Sequence, residues 1–259
     1  MIEPPRRDEA LESDEAGDGR QTVPEPTAPM HPPTTVTGGF HPSRDALDRE
    51  LRSVKDGVLR MGSLVEQQIL AALQALVDHD AEAAVAVMAR DRQVNEVQEE
   101  VSSLITTTIA TQQPVARDLR FLLALDHVTY ELERMGDHAT SVAKQARKLA
   151  PEPPLAGYLG LPQMARIAAE LVRGALMALV DIDEERARAV AARDDEIDEL
   201  YHATFDQVLD LMRADPDNVD RGARILFAAH YLERIGDRVT NIAEDVVFLA
   251  HGTIEDLNQ

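Results

Sequence analysis

One segment occurs twice in this chain, as Leu132-Glu133-Arg134-Met135-Gly136-Asp137 and as Leu232-Glu233-Arg234-Ile235-Gly236-Asp237, at an offset of 100 residues. Upstream of each copy the correspondence continues at an offset of 103. Leu76-Val77-Asp78-His79-Asp80 matches Leu179-Val180-Asp181-Ile182-Asp183, and Ala89-Arg90-Asp91 matches Ala192-Arg193-Asp194. The three-residue change falls between the second and third elements of the unit, where a loop absorbs it. Apolar matches arise by chance in any helical chain, but paired Glu, Arg, Gly and Asp do not. The chain is therefore read as two copies of one unit.

The unit is helical. Leu47, Leu51, Val54, Val58, Met61, Val65, Ile69, Leu73 and Leu76 recur at three- and four-residue spacing, one apolar stripe along a long helix. Ser43 is the expected N-cap, with Asp45 in the first turn. His79-Asp80 ends that helix. A second runs to about Thr111 with Val87, Val94, Val97, Val101, Leu104 and Ile105 inward, Gln113-Pro114 breaks it, and a third spans about 118–149. Pro151, Pro153, Pro154 and Gly157 mark a linker, after which helices are expected near 161–181, 183–213 and 218–250. Short breaks between long helices imply antiparallel neighbours. The expected fold is all-α, two pseudo-symmetric antiparallel three-helix bundles over 43–150 and 161–252. A linker at 151–160 joins them, and a tail at 253–259 follows.

Residues 1–42 hold eight of the fourteen prolines and almost nothing to bury, and are expected to be a disordered tail. The net charge of −21 repels phosphate backbones and anionic lipid, so no nucleic-acid role is expected. With no cysteine, thiolate catalysis, zinc–thiolate sites and iron–sulfur ligation are excluded. No apolar run approaches the roughly 20 residues of a membrane span, and Arg6-Arg7 is followed by no apolar stretch. A cytoplasmic chain that meets membranes only through partners is expected.

The candidate chemistry lies in carboxylate ladders. Glu133/Asp137 and Glu233/Asp237 are each four residues apart on a helix, so both carboxylates share a face. The second copy continues to Asn241 and Asp245, the first to Ser141 and Gln145. The middle helices carry Asp194, Asp198 and His202 in the second copy and Asp91, Asn95 and Glu99 in the first. If middle and third helices face each other, the ladders converge into oxygen-rich sites suited to iron, zinc, manganese or magnesium. The same ladders are also readable as solvated faces. Against that, Gly136 and Gly236 sit inside long helices, where glycine costs about 1 kcal/mol relative to alanine, which points to a close approach by a neighbour or ligand. Arg134 and Arg234 are expected to pair with a neighbouring helix. Glu199-Leu200-Tyr201-His202 is an E-x-x-H, but a ferritin-like di-metal centre needs two, so a carboxylate-bridged oxidase is the weaker alternative.

The paired L-E-R-x-G-D segments resemble those of the PhoU family of phosphate-signalling regulators. So does Gln113-Pro114-Val115-Ala116-Arg117-Asp118-Leu119-Arg120, which is similar to that family's Q-P-x-A-x-D-L-R. The resemblance covers roughly residues 44–250. It implies two three-helix bundles, commonly as a homodimer, and metal clusters on E/D-x-x-x-D motifs that map onto Glu133/Asp137, Glu233/Asp237, Asp194/Asp198 and Asp91/Asn95. It further implies a regulator, not an enzyme. Such a regulator restrains the phosphate-starvation response through the phosphate ABC transporter's ATPase subunit and a sensor histidine kinase. The sequence departs from the family pattern at Asn95, at Lys144-Gln145 where the second unit has Glu244-Asp245, and in the tail before Ser43.

Overall fold

The structure, a computed structural model, describes residues 44–155, 160–253 and 255–257. The tail reading of residues 1–42, the Ser43 cap and Gly157 of the linker lie outside the described residues. Among the described residues seven α-helices follow one another: α1 (Arg44–Val77), α2 (Ala81–Gln112), α3 (Ala116–Leu149), α4 (Leu161–Asp181), α5 (Glu184–Ala191), α6 (Asp194–Ala214) and α7 (Val219–His251). A short 3-10 turn, Pro216–Asn218, precedes α7. Helices α1–α3 pack as one bundle and α4–α7 as a second. The bundles meet along α3 and α7 and, at a second seam, along α1 and α4.

The stripe on α1 is the spine of the first bundle: all nine of its apolar residues are buried. Burial of a Leu, Ile or Val side chain is worth about 1.5–3 kcal/mol, so the stripe outweighs any local propensity in fixing which face turns inward. On α2, Val87, Val94, Val97, Val101 and Ile105 are buried, and Leu104 packs half-buried at the edge of the core.

The repeat is visible in the turns. Asp80 caps α2 by accepting a 2.9 Å hydrogen bond from Ala83 N, and its counterpart Asp183 caps α5 by accepting one of 3.0 Å from Arg186 N. The residue before each cap is left-handed, His79 at φ 54° and Ile182 at φ 52°. The two helix-one ends are thus the same turn, built on D-x-D.

One expectation is corrected. The single helix expected near 183–213 is two, α5 and α6, separated at Ala192-Arg193. Arg193 N donates to Val190 O in a tight i−3 bond, and Asp194-Asp195-Glu196 then starts α6 with three carboxylates in its first turn, where the helix dipole favours them. Beyond α7, residues 255–257 fold back. Glu255 takes two hydrogen bonds from Arg188, and Leu257 N donates to Glu244 Oε1.

Candidate metal centres

In the second bundle, Asp194 and Asp198 of α6 face Glu233 and Asp237 of α7. Asp194 is the centre of this group, only 6% exposed. Its Oδ2 accepts from Thr240 Oγ1 at 3.2 Å, and its Oδ1 is buried with no hydrogen-bond partner. The glycine opposite explains the fit. A Cβ on Gly236 would lie 2.1 Å from Asp194 Oδ1, so only glycine admits the carboxylate. Burial, then Asp198 and Asp237, push the Asp194 pKa up to about 7. Burial, then Asp237 and Asp198, likewise push Glu233 to about 7, and Asp198 is raised by burial and Asp237. Glu233 Oε2 is also buried without a hydrogen bond, with His230 Nδ1 3.3 Å away. Asp237 Oδ2 accepts from Arg234 Nη1 at 2.8 Å. Arg234 thus pairs along its own helix, not with a neighbouring one.

The first bundle brings together the corresponding residues in a different state. Asp91 of α2 faces Glu133, Asp137 and Thr140 of α3, and Asn95 lies half-buried one turn along. Asp91 Oδ1 accepts from Thr140 Oγ1 at 3.0 Å, as its counterpart accepts from Thr240, but it also accepts from Gln68 Nε2 of α1 at 3.0 Å. Gly136 is less crowded than Gly236, its added Cβ meeting Gln68 Oε1 and Val94 Cγ1 at 3.4 Å. Burial and Asp137 raise the Glu133 pKa, and burial and Asp91 raise that of Asp137.

Asn241 and Asp245 do not join the second cluster's other carboxylates. Asn241 Nδ2 donates to Glu131 Oε2 at 3.2 Å, and Asp245 Oδ2 lies 2.7 Å from His127 Nδ1, both across the α3–α7 seam. The reason is helical pitch. Each four-residue step overshoots a turn by about 40°, so three steps rotate the ladder by about 120°. Glu131 is 5% exposed and is held by Asn241 and by Arg238 Nη1 at 3.5 Å. His138 stacks on Tyr231 in the same seam, its pKa pushed down to about 4 by burial and then by Arg238 and Arg234. Glu199 and His202 of the E-x-x-H are both exposed, and His202 Nδ1 bonds to the Asp198 carbonyl at 2.8 Å.

Sequence reasoning did not single out Gln68, Thr140 or Thr240. The threonines carried a signal, since they match at the same offset of 100 and each lies one turn past its glycine. Gln68 carried none, because the residue at its repeat position is Leu171.

Among the described residues, no group of three or more His, Asp or Glu side chains is placed so that it could hold a metal ion. What the second bundle offers is a set of crowded oxygen donors: Asp194 Oδ1, buried without a hydrogen bond, and Glu233 Oε2, likewise without one though 3.3 Å from His230 Nδ1, beside a glycine that leaves room for the aspartate. Hard, oxygen-seeking cations fit that set.

The family model of the PhoU domain matches this chain twice, over residues 58–146 and 161–246, one match to each bundle. The chain belongs to the PhoU family. A phosphate-specific transport system accessory protein PhoU homolog from Clostridium acetobutylicum is 34% identical over 217 residues, which is 83% of this chain and 99% of that protein. A PhoU homolog of the same description from Pseudomonas aeruginosa is 34% identical over 214 residues, 82% of this chain and 88% of its own. The crystal structure of PhoU from Pseudomonas aeruginosa superposes with a TM-score of 0.76 at 34% identity, covering 80% of this chain and all of that one, 100%. That of the phosphate transport system regulatory protein PhoU from Streptococcus pneumoniae gives 0.75 at 30% identity over 81% of this chain and 99% of its own. The two L-E-R-x-G-D segments sit on α3 and α7, the last helix of each bundle and each within a matched PhoU domain. No helix among the described residues is long and apolar enough to cross a membrane.

Proposed function

We propose that this PhoU chain is a cytoplasmic regulator of phosphate homeostasis that holds high-affinity phosphate uptake and the phosphate-starvation response in check when phosphate is plentiful. It acts by contact, with no turnover of its own, on the ATPase subunit of the phosphate ABC transporter and on the sensor histidine kinase, and it works as a homodimer. The observation that carries this reading is the family match to both bundles, together with relatives described as accessory proteins of the phosphate-specific transport system.

Metal binding belongs to the same reading. Asp194, Asp198, Glu233 and Asp237 would hold a divalent or trivalent cation in the second bundle, and Asp91, Glu133 and Asp137, with Asn95 beside them, in the first. A bound cation would add to the positive charge that Arg234 gives the second cluster, and would tie α2 to α3 and α6 to α7. The buried, unpartnered Asp194 Oδ1 supports this.

The test is genetic. Deleting the gene should switch on phosphate-uptake genes in phosphate-rich medium, and the intact chain should restore silence. Genes that stay silent at high phosphate without the chain would rule the reading out.

A further inference from the structure

The two bundles solve the same electrostatic problem differently. Each has a middle-helix aspartate facing a helical glycine and a threonine one turn beyond it: Asp91, Gly136 and Thr140 in the first, Asp194, Gly236 and Thr240 in the second. The difference comes from helix one of each unit. At the repeat position, α4 of the second bundle presents Leu171, fully apolar and 1% exposed, and α1 of the first presents Gln68, 4% exposed.

The Gln68 amide sits inside the first cluster. Its Nε2 lies 3.0 Å from Asp91 Oδ1, 3.2 Å from the Gly136 carbonyl and 2.7 Å from Thr140 Oγ1, while its Oε1 is buried without a partner. An amide hydrogen aimed at a buried carboxylate is a charge-assisted bond, and such bonds are roughly twice as strong as neutral ones. Asp91 Oδ1 therefore has two donors, whereas Asp194 Oδ1 has none.

We propose that Gln68 is a built-in occupant of the first carboxylate cluster, its amide doing there what a cation must do in the second, so that the second bundle binds metal tightly and the first only weakly. This rests on the metal reading above. A cation entering the first cluster must displace the Gln68 amide from Asp91 Oδ1, and one approaching Asp194 Oδ1 in the second has no donor there to displace. This chain's two repeats are thereby made unequal at Gln68 as well as at Asn95, and a fall in cation supply empties the first bundle while the second stays loaded.

The test is Mn2+ titration of the full chain against a competing chelator, on wild type, Gln68→Leu and Leu171→Gln, with melting of each in excess chelator. The wild type should fill one tight and one weak site. Gln68→Leu should tighten the weak site by about tenfold or more, the loss of one charge-assisted bond that binding no longer breaks. It should also melt lower without metal, because Asp91 loses a donor. Leu171→Gln should weaken the tight site by a similar factor. Two equal sites in the wild type, unmoved by either substitution, would overturn the role of Gln68 and leave the metal reading standing. A weak site lost in Gln68→Leu would also overturn it, by making Gln68 a ligand. A wild-type chain that takes up no Mn2+ would bring down the metal reading itself, and this inference with it.

Discussion

Gly236 and Asp194 are fitted to each other so closely that a single added carbon on residue 236 would stand 2.1 Å from the carboxylate oxygen. Asp194 is short, buried and anchored by Thr240, so it has nowhere to swing. The glycine is what allows α6 to lay its first turn against α7.

Gly236→Ala should therefore destabilise the chain by about 1–3 kcal/mol, the usual cost of forcing an extra methyl into a filled site. Gly136→Ala provides the contrast. Its new Cβ meets neighbours at 3.4 Å, and alanine is worth about 1 kcal/mol more than glycine in a helix interior, so the change should be neutral or mildly stabilising. Urea unfolding of both variants checks the difference in sign.

The metal-free chain should be more stable in mild acid than in mild base. The folded pKa values of Asp194 and Glu233, about 7, lie above the ordinary carboxylate values of the unfolded chain, so the folded state binds more protons between the two. Stability then falls as pH rises from about 4 to about 7, and the penalty is fully present above that. Melting in chelator across this range should show the decline, and Asp194→Asn should flatten it. A rising curve through this range would contradict the account.

The α3–α7 seam should depend on the partners of Glu131. Arg238→Met removes the guanidinium from a 5% exposed carboxylate, leaving it Asn241 and His127 Nε2 at 3.6 Å, and should cost up to about 3 kcal/mol, read from the urea midpoint. Adding Glu131→Gln to Arg238→Met removes the stranded charge and should recover more than half of the loss. A double variant as weak as the single one would show that the seam is held by packing alone.

The α1 stripe and the D-x-D turns were legible because burial and capping leave local, periodic marks in the sequence. The α5–α6 break was not. Ala89-Arg90-Asp91 runs straight through α2, while the same three residue types at Ala192-Arg193-Asp194 interrupt the second bundle. The difference accompanies the closer seating of Asp194 on Gly236, which no local pattern encodes. The acidic ladder was half legible. Counting by four finds Glu233 and Asp237 but carries on to Asn241 and Asp245, which the helix has by then turned toward α3. Gln68 was invisible because a buried polar residue inside an apolar stripe gives no period, and its repeat partner is Leu171.

The central claim, a PhoU chain whose second bundle holds a cation on converging carboxylates, is tested most directly by elemental analysis of the full chain purified without chelator, beside an Asp194→Asn/Asp237→Asn variant. The account predicts bound iron, manganese, zinc or magnesium in the wild type and a clear loss of it in the variant, with the helical content of both unchanged. Equal metal in the two proteins, or none in the wild type, would contradict it.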